Sequence, residues 1–273
     1  MPSLSFDSQG GRPIGYINVT KEELKQKPDL KPFNNQIIYL HDHNDGVKEI
    51  DLKDVNIFPL LKSKEGETQN HRIAIFGRSG SGKSHIIGQM LDMMKSKKHG
   101  NPERDIVILS GVDEDEPLDR PRGKKGEKSP PERIDLNDPS FMELRPDDFE
   151  DCIVIFDDVE HLSDKAINKA VLNLRNSMLE KSRHFNTDIF TISHNALGGS
   201  VTKFVNSEAS GFFVFPAFSQ HHQLTSYLHK YAGLSKEAIQ KLINIGETKS
   251  RWIFVSNMAP CYVIYSKGCY LVK

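Results

Sequence analysis

The octapeptide GRSGSGKS, Gly77 to Ser84, sets three glycines, small hydroxyl residues and one lysine at a spacing suited to phosphate. Gly77, Gly80 and Gly82 permit a tight turn that offers successive backbone N–H groups to phosphate oxygens, with Arg78, Ser79 and Ser81 completing the loop. Lys83 is placed to reach the β- and γ-phosphates of a nucleotide and the Ser84 hydroxyl to coordinate Mg²⁺; without ligand the lysine is expected to project into solvent. A second constellation is IVIFDDVE, Ile153 to Glu160. An apolar strand ending in acid puts Asp157 beside the phosphates, where it holds Mg²⁺ through a water, and leaves Asp158 or Glu160 to polarise an attacking water. The stretch TDIFTISH ends in His194, a polar side chain able to touch both the γ-phosphate and that water, with Ser193 or Asn195 as substitutes. Arg183, in EKSRHF and expected near the site edge, is a candidate arginine finger for a neighbouring subunit, with Arg175 behind it. A helix-end cation facing the macrodipole is the competing reading of Arg183.

These residues need elements to position them. RIAIF, before the glycine loop, is a short continuous apolar run of the kind buried on both faces of a parallel sheet. KSHIIGQMLDMMKSKK follows as a helix with Ile86, Ile87, Met90, Leu91 and Met94 on one face. DIVILS and DCIVIFDD read as two further buried strands, TDIFTISHN as a fourth and GFFVFP as a fifth. KAINKAVLNLRNSMLEKSRHF is a helix that buries Ile167, Val171, Leu174, Met178 and Leu179, and LSKEAIQKLINIG is one capped by Ser235 and stopped by Gly246. Strands alternating with helices predict an α/β fold around a mostly parallel central sheet. Residues 112–138, rich in charge, proline and glycine, read as an exposed, mobile loop insertion. Residues 1–56 read as an N-terminal arm or small β extension, with VTKEELKQ as a short helix, a strand at Gln36 to His43 and KEIDL as its hairpin partner. Residues 57–273 then form one ATPase domain, closed by a C-terminal β-hairpin over 251–273 that turns on SKG.

With 273 residues the chain can bury a substantial core, and a net charge of −1 excludes a global electrostatic pull toward nucleic acid. Any DNA-facing basic surface must be local, and Lys124, Lys125, Lys128 and Lys203 are its candidates. Cys152, Cys261 and Cys269 follow no zinc-ligand or CxxC spacing and read as reduced thiols. His41 with His43 and His221 with His222 lack the neighbours of a metal site, and Trp252 reads as packing. Neither a secretory signal nor an apolar run of about 20 residues is present, so the expectation is a soluble intracellular or particle-packed protein without a membrane partner.

The guanine-reading NKxD pattern is missing, which argues against a GTPase. Small nucleotide kinases share the loop but usually lack the acidic pair and the polar-ended strand. The order of loop, strand, paired acids, helix and polar-ended strand favours the ATPases in which an extra strand separates the phosphate-loop strand from the acidic strand, the usual plan of ring-forming motors. GRSGSGKS, IVIFDDVE and SRHFNTDIFTISHN, in that order, resemble the genome-packaging ATPases of large eukaryotic DNA viruses, in the FtsK/HerA superfamily of P-loop motors. The likeness covers roughly Ile57 to the C-terminus. It implies a RecA-like P-loop NTPase core of the ASCE type, Mg²⁺-ATP hydrolysis and a homo-oligomeric ring, pentameric or hexameric. It further implies translocation of double-stranded DNA into a preformed capsid, with a capsid or portal protein as partner. The site of action is then the host-cell cytoplasm or viral factory, with the protein carried in the virion as a variant of that. By position, Gly77 to Ser84 become the Walker A loop, Asp157 and Asp158 the Walker B pair, His194 the sensor and Arg183 the finger. Two departures stand out: many relatives carry Glu where Asp158 stands and Gln where His194 stands, so Glu160 stays open as the base. Another ring ATPase of DNA segregation, a helicase, a transposon-encoded protein and a low-turnover nucleotide-binding scaffold remain the alternatives.

Overall fold

The computed structural model describes residues 1–43, 46–61, 70–123, 126–197 and 199–272. Its contacts divide the chain into two compact units, one of Met1–Lys64 with Phe212–Lys273 and the other of Glu65–Gly211. This differs from the expected boundary at residue 56. The first 60 or so residues are no separate arm, because strands from both ends of the chain build one unit.

In that unit β1 (Ser3–Ser5), β2 (Arg12–Asn18), β3 (Ile37–His41) and β5 (Asn56–Pro59) form a sheet in the order β1-β3-β2-β5. Leu4, Ile17, Ile38 and Ile57 are fully buried, which anchors a stretch that composition alone marks as loose. The short helix α1 (Lys21–Gln26) starts from a capping box in which Thr20 and Glu23 exchange hydrogen bonds. β4 (Glu49–Asp51), the KEIDL segment, is not the hairpin partner of β3, whose neighbours are β1 and β2.

The second unit carries the candidate site. Its strands are β6 (Arg72–Phe76), β7 (Ile106–Ser110), β8 (Glu132–Ile134), β9 (Ile153–Asp157) and β10 (Asp188–Ser193). They run in the order β6-β10-β9-β7-β8, and every pairing is parallel. The polar-ended strand thus lies between the loop strand and the acidic strand, as the motif order predicts. Helix α2 (Lys83–Met94) buries Ile86, Ile87, Met90, Leu91 and Met94, each to 3% exposure or less. At about 1.5–3 kcal/mol for each fully buried side chain, this face more than offsets the cost of an uncapped helix start. The helices α4 (Lys165–Lys181) and α5 (Ser200–Glu208) follow β9 and β10, and α5 has no counterpart in the sequence reading.

The charged insertion is largely ordered, contrary to expectation. It holds the short helix α3 (Glu116–Asp119) and the strand β8, which pairs with β7. Leu118 is fully buried, and Arg122, at 4% exposure, donates to Asp92 and to the carbonyls of Leu118, Arg120 and Pro117. Gly88 on α2 makes room for this segment, since a Cβ there would lie 2.7 Å from the Pro117 carbonyl oxygen. Charge density misleads here because a guanidinium can go inside when carbonyls satisfy it. Lys124 and Lys125 lie outside the described residues, while Lys128 and Lys203 are exposed.

The chain then re-enters the first unit through β11 (Gly211–Val214), α6 (His221–Ala232), α7 (Lys236–Thr248), β12 (Ile253–Ser256), β13 (Tyr262–Tyr265) and β14 (Gly268–Leu271). β13 and β14 make the expected antiparallel hairpin, and β4 pairs along the far edge of β14. Ser235 caps α7, but Gly246 does not stop it; the helix runs two residues further. Pro216 packs against Gly246, and a Cβ there would meet its ring at 2.3 Å, so the missing side chain serves close contact. Trp252 packs between Phe58 and Phe213.

Candidate nucleotide site

Parallel strands bring their carboxyl ends to one edge, and the register decides which residues meet there. Phe76 lies beside Ser193, Ile192 beside Asp157 and Ser110 beside Asp157. The residues that follow these positions, Gly77, His194 and Asp158, therefore leave the sheet together. Gly77 N–H donates to the Ser193 carbonyl and Asp158 N–H to that of Ile192, stitching the three loop starts to one another.

The glycine loop has the backbone its composition predicts. Gly80 has φ 74° and Gly82 φ 103°, the left-handed region where a side chain is strained. A Cβ at Gly80 would meet nothing within 4 Å, so there the demand is purely conformational. Gly82 is the N-cap of α2 and offers no side-chain oxygen, which leaves first-turn N–H groups of the helix available to an anion. Arg78, Ser79 and Gly80 are exposed, Ser81 is buried and Ser84 is half-buried.

Lys83 departs from expectation. It is only 8% exposed, and its ammonium donates to the Gly77 carbonyl at 2.8 Å and to His194 Nδ1 at 3.3 Å. Burial lowers its pKa, opposed by the nearby Asp158, Asp157 and Asp115. The lysine folds back into its own loop because a desolvated ammonium needs acceptors, and the loop carbonyl is the nearest.

The two aspartates differ. Asp157 is 3% exposed and accepts from the Ser110 hydroxyl at 2.8 Å. Burial pushes its pKa up to about 6, with Ser110 pulling the other way. Asp158, with φ 49°, turns its partly exposed carboxylate to His194 Nε2 at 2.8 Å. Since Lys83 can only donate, His194 Nδ1 is the acceptor of that contact, which leaves Nε2 to donate to Asp158. Lys83, His194 and Asp158 thereby form one hydrogen-bonded chain at the mouth of the loop.

Other candidates are placed elsewhere. Glu160 is buried and ion-paired with Arg175 at 3.1 Å. Arg175 is fully buried, so it cannot reach another subunit as a reserve finger. Arg183 is exposed, two residues beyond α4, and its charge acts on Arg72 at the start of β6. That is the amino edge of the sheet, opposite the glycine loop, and not the site edge expected from its position before β10. The direction of β10 is the reason: its six residues span about 16 Å, so the chain enters at one edge of the sheet and leaves at the other. Ser110 and Asn168 are the residues that sequence reasoning missed, and for Arg175 it missed the buried pairing with Glu160. Of these only Ser110 carried a signal, as the polar end of an otherwise apolar strand.

A polyphosphate with a divalent cation fits these residues. Among the described residues no group of three or more His, Cys, Asp or Glu side chains is placed to hold a metal. A hydroxyl and one carboxylate suit Mg²⁺, which keeps its waters and takes substrate phosphates as further ligands.

No family model matches the chain. It is similar to the uncharacterized protein V3 of Sputnik virophage, with 27% identity over 262 residues that cover 93% of this chain and 98% of that protein. Among solved structures it is similar to the genome packaging NTPase B204 from Sulfolobus turreted icosahedral virus 2 in complex with AMPPCP. That likeness has 15% identity and a TM-score of 0.41 over 75% of this chain and 97% of the other. It is also similar to the pCW3 conjugation coupling protein TcpA, in a monomer form with ATPγS. There the identity is 11% and the TM-score 0.47, over 97% of this chain and 87% of the other.

Proposed function

We propose that the protein is an Mg²⁺-dependent ATPase that drives double-stranded DNA into a preformed viral capsid as a homo-oligomeric ring. The observation that carries the ATPase reading is the single sheet edge where the Gly77–Ser84 loop, Asp157, Asp158 and His194 converge. The backbone of Arg78 to Ser84 and the Lys83 ammonium bind the β- and γ-phosphates. Ser84 and Asp157 hold Mg²⁺, which supplies neutralisation of charge on the phosphate oxygens. Asp158, the more exposed of the two carboxylates, accepts a proton from the attacking water, and His194 orients both the carboxylate and the γ-phosphate. Arg183, remote from its own loop, can contribute only to the site of another copy. A likeness to a virophage protein along nearly the whole of both chains favours a viral origin and action in the infected cell. Among the described residues no helix is long and apolar enough to cross a membrane.

ATP turnover with and without double-stranded DNA, beside a native mass measurement with a non-hydrolysable analogue, tests the reading. DNA-stimulated turnover by a multimer is expected, and Lys83→Ala should abolish it. Turnover near the parent rate in Lys83→Ala would remove the phosphate-loop assignment.

A further inference from the structure

Arg175 has the largest fully buried side chain in the described chain. A guanidinium is kept in an interior only where its donors are matched. Nη1 donates to Glu160 Oε1 at 3.1 Å, and Nη2 donates to the Val201 carbonyl at 2.8 Å. Nε and Nη2 also reach Asn176 Oδ1, one residue along the same helix. The two remote partners belong to different segments, one after β9 and one after β10. Glu160 lies two residues after Asp158, within the turn Val159–His161. Val201 lies in the first turn of α5, the helix that closes the loop begun by His194 and that holds this loop again through Asn206 Nδ2 on the Ala196 carbonyl.

Asp158 needs such support. A non-glycine residue keeps the left-handed conformation only where its surroundings over-determine it. Asn168 Nδ2 donates to the Val159 carbonyl at 2.8 Å, so α4 grips the turn at two consecutive residues. We propose that Arg175 is a positioning residue for hydrolysis: one buried guanidinium ties the Asp158 turn to the helix that anchors the His194 loop and thereby sets the contact between Asp158 and His194. On this account Glu160 is the anchor of that tie and not the base. The proposal rests on the reading of Asp158 and His194 as the hydrolytic pair.

The test compares Arg175→Met, Arg175→Lys and Glu160→Gln in the full-length chain by three readouts. These are binding stoichiometry and affinity for a fluorescent ATP analogue with Mg²⁺, steady-state turnover, and the ¹⁵N-detected imidazole signals of His194, assigned by their loss in His194→Gln. Arg175→Met should bind the analogue at full stoichiometry with affinity within about threefold of the parent. Its kcat should fall by about 10- to 100-fold, the scale of a small misplacement of reacting groups, while the His194 signals shift. Arg175→Lys, which can keep one of the two ties, should fall between. Parent-like turnover with parent-like His194 signals overturns the proposal. So does a loss of turnover matched by an equal loss of binding stoichiometry with His194 unmoved, since that is unfolding alone. If Arg175→Met does not fold, Arg175→Lys and Glu160→Gln carry the same comparison. If the parent itself does not hydrolyse ATP, the functional reading falls, and the His194 signals alone decide whether Arg175 positions them.

Discussion

Adjacent in sequence, Asp157 and Asp158 occupy opposite environments, and their substitutions should separate accordingly. The buried Asp157 has its pKa raised from 3.8 to about 6. The folded state therefore holds this proton more tightly than the unfolded chain, so stability from this group is complete below about pH 4 and is lost as pH rises through about 6. Above that, the ionised carboxylate costs on the order of 2–3 kcal/mol in the nucleotide-free protein. Asp157→Asn should then stabilise the free protein at pH 7.5, with a gain that shrinks as pH falls from 6 toward 4, while stabilisation by Mg²⁺-nucleotide is lost. Chemical denaturation at pH 5 and 7.5 checks this; an equal gain at both would mean that the burial penalty is not what the asparagine relieves. Asp158→Asn should keep nucleotide binding and lose about 10²-fold or more in turnover, as removal of a general base does. Glu160→Gln retains an acceptor for Arg175 and should lose less. The reverse order in a single-turnover assay would move the base two residues along.

At the scale of elements, α7 shows how one glycine can be misread. A glycine near a helix end commonly marks a stop, yet here the helix continues past Gly246, and the Pro216 ring, which occupies the space of the absent Cβ, is the reason for the glycine. Gly246→Ala gains about 1 kcal/mol of helix propensity but forces a methyl group onto a rigid ring, an overpacking cost of about 1–3 kcal/mol. A net loss of stability of up to about 2 kcal/mol is expected in urea denaturation. A gain would show that Pro216 gives way. The insertion teaches the complementary lesson, since Leu118, Leu136 and a carbonyl-satisfied Arg122 order a segment whose charge suggests none.

For the whole molecule, the opposed positions of the glycine loop and Arg183 bear on assembly. Among the described residues Arg183 has no hydrogen-bond or ion-pair partner, and it cannot fold back across the sheet to its own loop. Arg183→Ala should bind ATP normally and hydrolyse it about 10³-fold more slowly if it serves a neighbour as a finger. Mixed with Lys83→Ala, it should recover activity, because some interfaces then pair an intact loop with an intact arginine. Mixtures shown to co-assemble yet as inactive as their parents would reject the trans role and leave Arg183 as a helix-end charge.

The sequence by itself determined the backbone of the glycine loop, the buried strands around it, the hydrophobic faces of α2 and, half-buried Ile167 apart, of α4, and the terminal hairpin. Each of these depends on covalent neighbours: glycine's freedom at φ above zero, a periodicity of hydrophobic residues, a turn between two apolar runs. Only the tertiary structure decided what meets across distance. Lys83 and His194 are 111 positions apart, and no local pattern states that one ring nitrogen accepts from that ammonium. The same holds for the partners of β3 and for the burial of Lys83 and Arg175. Strand direction, a property of the parallel sheet as a whole, sent His194 to the edge of the glycine loop and Arg183, only eleven residues earlier, to the other.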